Sequence, residues 1–140
     1  LPGVMDIAVK ICKKHGINKT RLAYERWSCK TNGISVFLTY NFWFRKFMPS
    51  LFAGKIKKML ERNSIRYTDN FYGALIIDAN NIQDKLLLVL DAVEDGVSEL
   101  MVHPGLNNNK RKAEYSALKS DAFRNKIKEK GIELISYLEL

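Results

Sequence analysis

The sequence predicts an α/β fold with a mainly parallel sheet. Segments with the apolar spacing of helices alternate with short apolar segments typical of strands, and the connectors between them are short. The chain has 140 residues, 46% of them hydrophobic, which is enough to bury one core. Three prolines, eight glycines and no low-complexity stretch argue against a disordered tail or linker. We therefore predict a single domain over residues 1–140.

Apolar spacing and stop signals locate the predicted elements. Gly16 and Gly131 directly follow two helical patterns, and Gly96 lies just beyond a third, as expected at helix C-termini. The predicted helices cover residues 4–15, 34–48, 50–62, 81–93, 110–119 and 121–130, and the predicted strands cover residues 17–24, 65–68, 98–103 and 132–140. Residues 69–73 (DNFYG) are predicted to form a loop that begins at Asp69.

Three predicted strands end in polar side chains. His103 ends one strand, Arg21 and Glu25 lie at the end of another, and Asp69 follows a third. In parallel α/β folds the C-terminal ends of the strands share one edge, where reactive groups gather. The sequence therefore predicts that these side chains lie on one rim.

Each of these residues also has a purely structural interpretation. A histidine at a strand end can be held by backbone groups, and Arg21 can pair on the surface with Glu25 or Asp6, a contact that contributes at most about 1 kcal/mol. Asp69 can simply be the turn residue that starts its loop. The strand ends alone do not separate a catalytic site from ordinary loops.

Composition narrows the function classes. The net charge of +8 invites a nucleic-acid function, but the basic residues are dispersed and no DNA- or RNA-binding motif accompanies them. Cys12 and Cys29 form no metal-binding pattern, which favours a reduced, cytoplasmic protein, although two cysteines can also form one disulfide. His15 lies in KKHG, where a helix C-terminus favours a basic residue. The apolar segment 34–44 is about half of the roughly 20 residues that a membrane-spanning helix needs.

The order of the motifs resembles that of the YdjC-like carbohydrate deacetylase family. Residues 1–25 are similar to the family's helix and following strand, which ends in an Arg…Glu pair. TDNFYG (68–73) is similar to its D-x-F-x-G loop, and ELMVHPG (99–105) to its E-(I/L)-M-x-H-P-G motif. RKAEYSAL (111–118) is similar to its R-x-x-E-x-x-x-L helix, so the resemblance extends over the whole chain.

The resemblance implies a fold and a reaction. The fold is a deformed (β/α) barrel of the glycoside hydrolase/deacetylase type, roughly twice the length of this chain, which would be its C-terminal half. The reaction is hydrolysis of the N-acetyl group of amino sugars such as chitooligosaccharides, with a divalent metal, Mg or Zn. The family's metal ligands, one Asp and two His, precede the point where this chain starts. The resemblance thus implies no metal ligand in this chain and no activity in isolation.

The resemblance also implies roles and partners. His103 would be the catalytic acid/base, and Arg21, Glu25 and Asp69 would bind substrate. The expected partners are an acetylated amino sugar or oligosaccharide and either the missing N-terminal half or a second copy of the chain, without a membrane. Ala23 and Leu106 replace a proline and an aromatic residue common in the family, which bears on substrate preference. Two alternatives stay open: a basic domain that binds nucleic acid or another polyanion, and a self-associating remnant without chemistry.

Overall fold

The computed structural model describes residues 2–23, 53–73 and 81–140. The chain divides into two compact units, and each is described separately below. The first comprises Leu1–Tyr24, Gly33–Asp69 and Ile135–Leu140, and the second comprises Glu25–Asn32 and Asn70–Leu134. The helix predicted over 34–48 and the candidate site residue Glu25 lie outside the described residues.

The first unit contains two helices and a short parallel backbone contact. Helix α1 covers Pro2–Lys14 and helix α2 includes residues 53–62, so both predicted helices are confirmed where they are described. The segments predicted as strands, 17–24 and 65–68, form a single parallel bridge between Lys19 and Arg66. A core of four buried side chains joins helices and bridge; its members are Val9, Leu22, Leu60 and Ile65.

The second unit contains a parallel pair of strands. Strand β1 covers Asn70–Tyr72 and strand β2 covers Ser98–Leu100, with Phe71 opposite Glu99. The Met101 N–H donates to the Tyr72 carbonyl oxygen at 2.8 Å and extends the pairing by one residue. The prediction of a loop over 69–73 is therefore wrong for residues 70–72. All three are buried, and burial between neighbouring elements outweighs the turn preference of their residue types.

Three helices pack on one another, and Leu100 of strand β2 contacts their shared core. Helices α3, α4 and α5 span Ile82–Ala92, Asn109–Lys119 and Asp121–Glu129, close to the predicted boundaries. They share a core whose buried members are Ile82, Leu86, Leu90, Ala117 and Phe123. On the surface, Lys126 and Lys130 lie 2.9 and 3.0 Å from the Asp91 carboxylate and lower the pKa of that carboxyl.

The strand predicted over 132–140 is wrong. These residues have no regular structure, and a turn covers residues 137–139. Within it the Glu139 carboxylate accepts the Ser136 N–H at 2.6 Å and the Ser136 hydroxyl at 2.9 Å. The first bond satisfies a backbone N–H that a strand would offer to a neighbour, and both bonds lower the pKa of Glu139.

The described residues therefore form helices and a small parallel sheet, an α/β arrangement as predicted. In those residues the parallel contacts are β1–β2 and the Lys19–Arg66 bridge, so barrel closure stays a prediction. Over the same ranges, no helix combines the length and the apolar character required to cross a bilayer.

Candidate functional site

The strand predicted over 98–103 ends at Leu100, so the prediction that His103 ends a strand is wrong. His103 lies on the connection between strand β2 and helix α4, in the second unit. Its side chain is exposed, whereas its backbone N–H donates to the Glu114 Oε2 at 2.6 Å. Glu114 is on helix α4 and only 8% exposed, so the carboxylate reaches the connection from inside the unit. The imidazole is therefore exposed to solvent, whereas the backbone that carries it is hydrogen-bonded to the buried Glu114.

Helix α4 holds the same connection at two further points. The Gly105 N–H donates to the Arg111 carbonyl oxygen at 3.2 Å. Asn108 caps the helix, because its side-chain Oδ1 accepts the Arg111 N–H at 2.9 Å. The H-P-G segment is therefore bonded to the first two turns of the helix that follows it.

The glycine of the D-x-F-x-G motif lies at the end of strand β1, beside the chain that leads to His103. A Cβ at Gly73 would lie 2.9 Å from the Met101 Cε, 3.1 Å from the Met101 Cβ and 3.3 Å from the Phe71 Cε1. The methionine methyl group can move away, but the Met101 Cβ is fixed by its backbone and would have to shift by a few tenths of an ångström. Glycine is therefore favoured here, because the two chain segments approach closely.

We expect Gly73→Ala to lower the free energy of unfolding by about 1–3 kcal/mol through overpacking. Gly54 is the matched control, since it is helical and a Cβ there meets nothing within 4 Å. Gly54→Ala should raise the free energy of unfolding by about 0.5–1 kcal/mol. Urea denaturation followed by circular dichroism measures both, and equal effects of the two substitutions would contradict the close approach at Gly73.

Arg21 and Asp69 lie in the first unit, and both are exposed. Lys19 pairs with Arg66 in parallel, so the two segments leave their bridge in the same direction. Arg21 follows two residues beyond Lys19, and Asp69 follows three residues beyond Arg66. The structure thus places these two candidates beyond the same end of one parallel contact. A common rim with His103, which belongs to the other unit, stays a prediction.

Tyr67 directly follows the bridge residue Arg66, and its phenol has a shifted pKa. Burial raises the pKa of Tyr67 from 10.0 to about 12, and the Glu61 carboxylate, which accepts the phenol hydrogen bond at 2.8 Å, adds to the rise. The negative charge of Asp69 contributes in the same direction. The folded state therefore keeps a proton that the unfolded chain releases above pH 10.

Stability should accordingly depend on pH at alkaline values. The contribution of Tyr67 is complete below about pH 10 and is lost as pH rises toward 12, since the folded state binds more protons in that window. Glu61→Gln should lower the pKa of Tyr67 while leaving it above the ordinary value, because burial persists. NMR titration of the Tyr67 Cζ measures this shift, with Glu133→Gln as an exposed control. An unchanged pKa in Glu61→Gln would contradict the assignment.

The described residues do not assemble a metal centre. Across 2–23, 53–73 and 81–140, no three His, Cys, Asp or Glu side chains come close enough together to hold an ion. His15 is exposed just after helix α1, and its N–H donates to the Ile11 carbonyl oxygen at 3.0 Å, as expected at a helix end. The implied divalent metal therefore does not fit the residues described, and no step below passes through it.

Sequence reasoning assigned no role to Glu114. Glu114 belongs to the R-x-x-E-x-x-x-L motif, which indicates the family but not what the glutamate contacts. Glu114 is three residues before the buried Ala117 and belongs to the same inward face of helix α4. A carboxylate on the buried face of an otherwise polar helix was the signal that could have identified it.

The fold and the site together define a class of protein: an α/β protein with parallel strands, whose candidate reactive side chain lies on an anchored strand-to-helix connection. The chain matches the family model described as YdjC-like protein over residues 1–129, and it belongs to this family. This confirms the resemblance carried by the motifs. No curated protein matches the chain, and no solved structure does either.

Proposed function

We propose that the chain belongs to a carbohydrate deacetylase that hydrolyses the N-acetyl group of amino sugars such as chitooligosaccharides. Membership of the YdjC-like family suggests this activity. The observation that carries the proposal is the position of His103, exposed on the connection three residues beyond strand β2, with its backbone N–H bonded to Glu114. We further propose that the parallel contacts are part of a (β/α) barrel, with this chain as its C-terminal half.

His103 has the chemistry that amide hydrolysis requires. An amide nitrogen is a poor leaving group at neutral pH, so a positioned acid must protonate it as the C–N bond breaks. Histidine changes charge near neutral pH and can donate that proton. We assign this role to His103, whose side chain is exposed to solvent.

We propose substrate contacts for the other candidate residues. Both Arg21 and Asp69 are exposed beyond one end of the Lys19–Arg66 bridge. Arg21 would donate hydrogen bonds to sugar hydroxyl groups and Asp69 would accept them. Glu25, four residues after Arg21, would also bind substrate. The divalent metal implied by the family, Mg or Zn, would take its ligands from outside the described residues. We also propose a cytoplasmic location, since Cys12 and Cys29 belong to no C-x-x-C or Cys/His pattern and the described Cys12 is a free thiol.

The test is acetate release by the protein expressed from its complete gene. The substrate is di-N-acetylchitobiose, and the corresponding glucosamine disaccharide, which has no acetyl group, is the blank. We expect acetate release that a chelator stops and that Mg²⁺ or Zn²⁺ restores. Absence of acetate release from N-acetylated chitooligosaccharides of several lengths, with each metal supplied, would overturn the proposal.

A further inference from the structure

We propose that Glu114 is the positioning residue of His103. The inference rests on the proposed function, since it concerns the residue assigned there as the acid. The Glu114 Oε2 accepts the backbone N–H of His103 at 2.6 Å, which is a short distance for such a bond. A hydrogen bond from an N–H to a carboxylate is stronger than one between neutral groups, so it restrains the His103 backbone directly.

The burial of Glu114 supports a specific role. The residue is 8% exposed, and removing a carboxylate from water is costly unless hydrogen bonds compensate it. The contact that connects this carboxylate to the β2–α4 connection is the one to His103, eleven residues earlier in the chain. The burial of this carboxylate is thus matched by its hydrogen bond to the His103 backbone.

The surroundings of Glu114 are themselves fixed. Asn108, Arg111 and Glu114 follow one another at three-residue spacing along helix α4. The first caps the helix, the second accepts the Gly105 N–H through its carbonyl oxygen, and the third accepts the His103 N–H. The next residue at this spacing, Ala117, is packed in the core with Leu86 and Phe123. The carboxylate is thereby connected through the helix to the core of the unit.

In this arrangement one part of His103 is free to act on a substrate and another part is restrained. The imidazole of His103 stays exposed and able to meet a substrate, whereas the backbone that carries it is held by helix α4. A misplacement of about 1 Å at a reacting group can cost about 100-fold in rate. Loss of the Glu114 contact should therefore reduce catalysis without removing any group that touches the sugar.

The first measurement is made on the chain itself and needs no activity. We expect Glu114→Ala to lower the hydrogen-exchange protection of the His103 amide by at least about tenfold and to move its proton resonance upfield. Glu114→Gln keeps a side-chain carbonyl oxygen that can accept the same N–H, so protection should be largely retained. Glu133→Ala, which removes an exposed carboxylate of the same unit, should change neither quantity. Amides of the α3 core, such as Leu86, report whether the unit stays folded.

The second measurement uses the protein expressed from its complete gene. We expect Glu114→Ala to lower kcat for acetate release by about 10- to 100-fold with little change in KM, and Glu114→Gln to restore most of the rate. Should Glu114→Ala fail to fold, the amide resonance of His103 in Glu114→Gln still tests the contact, since an exposed-type shift there overturns it.

The two proposals fail in different ways. A His103 amide that stays protected and unshifted in Glu114→Ala overturns the positioning role, whatever the activity. A loss of protection in Glu114→Ala, together with full activity of a His103 variant, supports the anchoring of the connection and overturns the proposed chemistry instead.

Discussion

His103→Ala is expected to reduce acetate release by at least about 100-fold in the protein expressed from its complete gene, because a general acid typically contributes that much or more. The metal content should not change, since His103 is assigned to proton transfer. The substitution removes an exposed side chain and leaves the backbone N–H that bonds Glu114. The fold should therefore be preserved, and circular dichroism checks this.

His15→Ala is the matched control for this substitution. The chain contains two histidines, both with exposed side chains. His15 follows helix α1, where its backbone closes the last turn. We expect full activity from His15→Ala. Loss of metal from the His103 variant with the fold retained would show that His103 is a ligand, and an active His103 variant would exclude it as the acid.

Leu86→Ala is expected to lower the free energy of unfolding by about 2–5 kcal/mol, the usual cost of truncating a buried leucine. Leu86 is 0% exposed at the centre of the α3–α4–α5 core, where Ala117 and Phe123 surround it. The lost contacts cannot be replaced by water, and neighbouring helices close the cavity only in part. Guanidinium denaturation followed by circular dichroism measures the change.

Leu88 provides the control on the same helix. It lies two residues further along α3 and is 42% exposed. Leu88→Ala should change the free energy of unfolding by no more than about 1 kcal/mol, because much of that side chain is already in water. Equal losses for the two substitutions would contradict the inward orientation of α3 that the core requires.

The apolar spacing and the glycine stop signals of the sequence were sufficient to predict the helices of the described residues. The apolar spacing over 81–93 predicts α3, observed at Ile82–Ala92, and the patterns over 110–119 and 121–130 predict α4 and α5. Gly16 and Gly131 adopt positive φ angles of 66° and 62°, as expected for residues that end helices. Helices are predictable in this way because their hydrogen bonds join residues four apart, and the sequence of one segment contains all the partners.

Strands require hydrogen-bond partners elsewhere in the chain. The local sequence pattern therefore missed the strand at residues 70–72 and predicted a strand over 132–140 that does not form. The DNFYG segment has turn-forming residues, yet residues 70–72 form β1 because Ser98–Leu100 offers a parallel partner and neighbouring elements bury all three. The segment 132–140 is rich in the apolar residues of a strand, yet Ser136 and Glu139 form hydrogen bonds with each other locally instead. Residue type alone does not say which partner is present.

For the candidate site, the sequence by itself determined that His103 follows a strand and that the motif order is that of the YdjC-like family, which the family match confirms. Only the tertiary structure decided that the Glu114 carboxylate bonds the His103 backbone, that Met101 approaches Gly73 closely, and that Arg21 and Asp69 lie beyond the same end of one bridge. The physical reason is distance along the chain. A hydrogen bond across eleven residues and a close contact across twenty-eight depend on how packed elements meet, which local pattern does not contain.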